Sequence, residues 1–154
     1  MYTYLLIFHS WIRWIALIAL LLTIFLAFRG FSIRKKFSAI DNQLRHWTAT
    51  LFHIQLIIGV LLLVKSPIIQ YFWSDPNNHF KNIQLSFFSL FHPLMMLLAI
   101  IIVTIGSAKA KRKTNDRAKY QTILIWYSIG LLLLFFAIPW SFSPFVSRPD
   151  FRFF

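Results

Sequence analysis

His9 and Arg13 stand one helical turn apart inside the first long apolar stretch of this 154-residue chain. Both are residue types that can do chemistry there. An imidazole ligates a metal or carries a proton, and a guanidinium clamps a carboxylate or phosphate through paired hydrogen bonds. An ionisable side chain at membrane depth is costly and is kept where something answers its charge. The acidic residues Asp41, Asp75, Asp116 and Asp150 all fall outside the apolar stretches, so the chain offers Arg13 no carboxylate of its own depth. A cofactor, a lipid head group, a backbone carbonyl, water or another subunit is left to answer it.

The remaining histidines sort by position. His92 lies in the third apolar stretch and is followed by Pro93, which removes the backbone bond to Ser89 and is expected to kink that helix and open the bundle beside His92. Met95 and Met96 follow and read as packing residues. His53 and Gln55 form a second polar group in the second stretch. At a spacing of two they point in different directions along a helix. Interhelical hydrogen bonding is one account of them, with Gly59, Gly106 and Gly130 admitting close helix approach. A quinone head group bonded to His53 is the other. His46 falls at a membrane interface, and His79 falls in a loop where solvation is expected.

The elements that must position these residues follow from composition. Hydrophobic residues make up 58% of the chain and charged residues 13%, far from the balance of a soluble domain. The reading is an all-α membrane protein, an antiparallel four-helix transmembrane bundle forming a single domain over residues 1–154. The spans are expected at about residues 5–28, 47–64, 83–106 and 121–138. By the rise of 1.5 Å per residue the first covers about 36 Å, enough to cross a hydrocarbon core of about 30 Å. It lacks a basic leading segment and a small-residue cleavage site, so it reads as a retained span rather than a signal peptide. Residues 66–82, with Tyr71, Phe72 and Trp73 ahead of Asp75-Pro76-Asn77-Asn78, read as an interfacial segment ending in a turn. The tail after Ser141, with Phe142, Phe145, Phe151, Phe153 and Phe154, reads as docking on the bilayer or on a partner subunit.

Several functions are disfavoured. The absence of cysteine rules out disulfides, iron–sulfur clusters and thioether-linked haem in this chain. No H-E-x-x-H, P-loop or G-x-S-x-G motif is present, and no span carries the carboxylate that proton pumping usually uses. The net charge of +12 is concentrated at span ends. Arg29, Arg34, Lys35, Lys36 and Arg45 lie between spans one and two, and Lys109, Lys111, Arg112, Lys113, Arg117 and Lys119 between spans three and four. Only Lys65, Lys81, Arg148 and Arg152 lie on the other side. This is a topology signal rather than a nucleic-acid footprint, and it puts both basic loops in the cytoplasm and both termini outside.

With that topology His9 lies about 6 Å and His92 about 13 Å below the outer ends of their spans, a difference that tilt can close. His53 enters from the opposite side, too far to join His9 in a three-histidine metal site. Haem b in a four-helix membrane bundle is usually held by two histidines on facing helices at similar depth. His9 and His92 are the pair that fits, and Arg13, on the same face as His9, is placed for a haem propionate. The residues also admit other partners: head groups for His9, a facing backbone for His92, and snorkelling to the surface for Arg13.

The strings His9-Ser10-Trp11-Ile12-Arg13-Trp14, His53-Ile54-Gln55-Leu56-Ile57-Ile58-Gly59, Ser66-Pro67, His92 followed by Met95-Met96-Leu97, the run from Thr104 to Arg112, and Ile138-Pro139-Trp140 together resemble a family of small bacterial four-span inner-membrane proteins labelled cytochrome b-like. The resemblance covers nearly the whole chain. It implies haem b held by His9 and His92, and a membrane electron-transfer or anchor subunit passing electrons between a quinol pool and an outer-face partner. The alternative is a haem-free accessory or assembly subunit of a larger inner-membrane complex. Where the family often has an acidic residue just before the span-three histidine, this chain has Phe91.

Reporter fusions test the charge argument. A periplasmic reporter joined after Phe154 is expected to be active and a cytoplasmic one silent, and the reverse pattern would overturn the assigned topology.

Overall fold

The computed structural model describes residues 1–143 and Val146. Phe145, Arg148, Asp150, Phe151, Arg152, Phe153 and Phe154, which carry most of the expected tail, lie outside the described residues. The described chain is helical, with no strand among the described residues, in the order α1 (Tyr2–Ser32), α2 (Ala39–Lys65), α3 (Pro67–Ser74), α4 (Pro76–His79), α5 (Ile83–Ser86), a π-helical turn (Phe87–Phe91), α6 (His92–Arg112) and α7 (Asp116–Ala137). Four helical stretches among the described residues are long and apolar enough to cross a membrane: Tyr2–Ser32, Ala39–Lys65, Ile83–Arg112 and Asp116–Ala137. By length and composition this is a multi-pass membrane protein.

Local chemistry sets the ends. α1 gives way at Ile33, and Arg34 takes a left-handed backbone with φ of 53°, a conformation that does not continue a right-handed helix. α2 opens with a capping box, in which Ser38 and Asp41 satisfy each other's backbone N–H groups. It closes at Lys65 because Ser66, held extended before Pro67, cannot continue it. Pro67 then starts α3, where its missing N–H costs nothing. Asp75 caps α4, and the Asn78 side chain and backbone N–H groups on its carboxylate hold that group below the usual carboxylate range. Ahead of Pro93 the helix does not simply lose a bond. The His92 N–H reaches back five residues to the Phe87 carbonyl, which inserts one extra residue into the helical register and re-aims the side chains of α6.

α1 packs against α2 and α7, and α6 packs against the same two helices. The seams are built on small residues: a Cβ at Gly106 would run into Trp126, one at Gly130 into Val103, and one at Gly30 into the Tyr120 ring. The core between them holds Ala16, Leu20, Ala99, Val103, Ile123 and Tyr127, all nearly inaccessible. Phe25, Phe28, Ile57, Val64, Leu94, Leu132 and Phe136 face outward, a surface suited to lipid.

The helices run past the expected spans, and this changes the reading of two charged residues. Asp41 and Arg45, expected between spans, lie in the first turns of α2 and are buried. Asp41 accepts hydrogen bonds from the Ser38 hydroxyl (2.6 Å), the Ser38 backbone N–H (2.9 Å), the Tyr120 hydroxyl (2.8 Å) and Lys35 Nζ (3.0 Å). Arg45 donates to the Ser107 carbonyl (2.9 Å) and hydroxyl on α6 and to Asn42 Oδ1, while Tyr127 on α7 donates to the Arg45 carbonyl (2.7 Å). One turn further in, the Thr23 and Thr48 hydroxyls share a hydrogen bond of 2.8 Å between α1 and α2. Hydropathy does not reveal this layer, because its residues look like interfacial charges until partners on α6 and α7 are brought to them.

Gly30 lets α1 approach the ring that serves Asp41. Gly30→Ala is therefore expected to destabilise the bundle by about 1–3 kcal/mol, the usual cost of overpacking, seen as a lower thermal midpoint in detergent. An unchanged midpoint would show that this seam is not tight.

Candidate functional site

His9 on α1 and His92 at the start of α6 meet, with ring centroids 6.3 Å apart and planes crossing at 70°. His92 Nδ1 lies 2.8 Å from the carbonyl of Ala137 at the end of α7. A carbonyl only accepts, so Nδ1 carries the proton and Nε2 keeps its lone pair for a ligand or donor. The end of α7 supplies that carbonyl for a local reason. The last carbonyls of a helix have no partner within it, and Ile138, extended before Pro139, ends the helix at this point. The π-helical turn completes the placement by setting the register in which α6 presents His92, with the Phe87 and Phe88 rings 5.9 and 6.4 Å from it.

His9 is held from α2. Gln55 Nε2 donates to the His9 carbonyl at 2.8 Å, and the ring rests beside Gly59, where a Cβ would stand 3.5 Å from His9 Cε1. Alanine would make an ordinary contact there, while a longer side chain would displace the ring. His9 Nδ1 is buried with no hydrogen-bond partner among the described residues, as are Gln55 Oε1 and Ser89 Oγ. A buried polar atom left in this way is destabilising unless a ligand or water meets it. Arg13, one turn along α1, lies in electrostatic reach of both histidines, with Cζ 5.3 Å from the Trp14 ring centroid. Trp14 in turn contacts Trp140, beyond α7, at 6.0 Å.

His53 and Gln55 do not share a site. His53 Nε2 pairs with the Thr104 hydroxyl on α6 at 2.9 Å, on the outer surface of the bundle, whereas Gln55 belongs to the surroundings of His9. His79 is not simply solvated. It stacks on Tyr71 at 4.1 Å and is partly exposed. Among the described residues no group of three or more His, Asp and Glu side chains is placed to hold a metal ion.

Two contributors lie beyond the sequence reading. Gly59 reads there only as a packing residue, although it follows Gln55 by four and so shares its face. The Ala137 carbonyl is not singled out, although the pre-proline helix end at Ile138 marks a carbonyl without an intrahelical partner. Comparison of the chain with protein-family models, with curated proteins and with solved structures finds no match.

The His92 tautomer is directly testable. Nitrogen-15 NMR of histidine-labelled protein is expected to show His92 protonated at Nδ1 with a non-protonated Nε2. A signal from the opposite tautomer would mean that the bond to Ala137 is not made.

Proposed function

We propose that the chain is an antiparallel four-helix subunit of a bacterial inner membrane that holds haem b between His9 and His92. In this reading the basic loops are cytoplasmic, both termini are outside, and electrons pass between a quinol pool and an outer-face partner subunit. The observation that carries it is the pairing of two imidazoles at 6.3 Å, one with Nδ1 committed to a backbone carbonyl. His9 from α1 and His92 from α6 would be the residues that hold the iron of such a group, each through an imidazole nitrogen. The residues fit the group: His92 is in the ligating tautomer, His9 Nδ1 is buried with no hydrogen-bond partner among the described residues, and Gly59 puts no side chain against the His9 ring. The resemblance to cytochrome b-like proteins supports the same pair.

Bound haem supplies one-electron redox chemistry at a potential set by its ligands and surroundings. The chain's own residues do the rest. Ala137 fixes the ring orientation and tautomer of His92 through a bond that also raises ligand basicity. Gln55 holds the backbone of His9 in place. Arg13 supplies the positive charge that favours a reduced site or answers a propionate. His53, paired with Thr104 on the outer surface of the bundle, is the group for a quinone head group.

A second reading, a haem-free accessory or assembly subunit of a larger complex, draws on the same contact: edge-to-face ring packing holds two histidines together without any iron. The visible spectrum separates the two. Purified protein is expected to be red, with a Soret band that shifts on reduction, and a colourless protein that always copurifies with another subunit would favour the second. His9→Ala and His92→Ala are each expected to abolish the band, while His53→Ala keeps it. Arg13→Gln is expected to keep haem and lower its midpoint potential by tens of millivolts, the effect of losing one unit charge worth about 1 kcal/mol in a partly polar interior. An unchanged potential would remove Arg13 from the site.

A further inference from the structure

A hollow of about 320 Å³ opens at the basic-loop end, lined by Phe37, Ala39, Asn42, Ala110, Lys111 and Lys119 together with the cap of α2. We propose that it binds the phosphate of an anionic phospholipid head group. The inference rests on the four membrane-length helices and is independent of the haem reading.

The chemistry of the lining is one-sided. Two lysines line the hollow, and no carboxylate lines it among the described residues. Asp41, adjacent to Asn42 in sequence, is not among the lining residues and is engaged by Lys35, Ser38 and Tyr120. The Asn42 side-chain oxygen accepts from both Nε (3.2 Å) and Nη2 (2.9 Å) of Arg45, so what its amide has left to offer is N–H. Lys119 is only loosely paired, 3.7 Å from Asp116, and lies over the Phe37 ring at 5.2 Å. The hollow is therefore lined by two lysines and an amide donor together with apolar Phe37, Ala39 and Ala110.

Its depth suits a lipid. It sits where the apolar run of α6 gives way to Lys109, Lys111, Arg112 and Lys113, the level of the head groups at the end of a span. Basic pockets between helices at that level are suited to anionic head groups. The volume falls at the low end of the range of about 300–1,000 Å³ for small-molecule sites, enough for a phosphodiester with its glycerol. Free phosphate offers the same oxyanion but has no apolar part for Phe37, Ala39 and Ala110.

Native mass spectrometry of the full chain in dodecyl maltoside, titrated with dioleoylphosphatidylglycerol or dioleoylphosphatidylcholine, tests this. The wild type is expected to prefer phosphatidylglycerol by about ten-fold, and Lys111→Gln/Lys119→Gln to reduce the preference to about two-fold or less. Asn42→Asp keeps the oxygen acceptor for Arg45 while placing a negative charge in the hollow, so it should abolish the preference in a protein that still folds. Arg112→Gln/Lys113→Gln removes as much charge outside the hollow and should leave the preference intact. Equal loss in that control, no preference in the wild type, an unaltered preference in folded Asn42→Asp, or full displacement of the lipid by millimolar inorganic phosphate would each overturn the proposal.

Discussion

Hydrocarbon offers no hydrogen bonds, so every polar group that these helices carry inward must be met by another part of the chain or by a ligand. The architecture is organised around that demand. At the basic-loop end the demand is met: Asp41, Arg45, Ser107, Tyr120 and Tyr127 satisfy one another across α2, α6 and α7. Breaking one member would strand a buried charge, which costs far more than the net worth of any single bond. This layer ties α2 to α6 and α7, and Gly30 on α1 leaves room for the Tyr120 ring that donates to Asp41.

At the other end the demand is met only in part. His92 is satisfied on one nitrogen by a helix-terminal carbonyl, while His9 Nδ1, Gln55 Oε1 and Ser89 Oγ are buried without hydrogen-bond partners among the described residues. The two layers therefore differ in how far the described residues satisfy them. The contrast between the layers is the physical basis for reading the histidine pair as a site rather than as packing.

Much of this is legible in the sequence, and the limits have causes. Long apolar runs with basic residues at their ends mark the helices, because a bilayer-spanning helix satisfies its backbone within itself and needs only length and hydropathy to be recognised. Histidine depth singles out His9 and His92, since rise per residue converts sequence position into height. The π-helical turn ahead of Pro93 is not legible, because sequence shows that a backbone bond is lost but not how the neighbouring carbonyls are shared out again. The burial and partners of Arg45 and Asp41 are not legible, because they depend on side chains of other helices. Gln55 is grouped with His53 by closeness in sequence, although helical geometry sends the two side chains to different neighbours.

The carbonyl that orients His92 is the last residue of α7, while His9 lies near the start of α1. Ribosomal synthesis therefore produces the parts of this site at opposite ends of its timetable. When α6 has just entered the membrane, His92 has no Ala137 to fix its tautomer, and the ring is free to turn. The pair reaches its final form only once α7 has been delivered and has ended at Ala137. The arrangement of His9, His92 and Ala137 is therefore complete only after translation of the last helix.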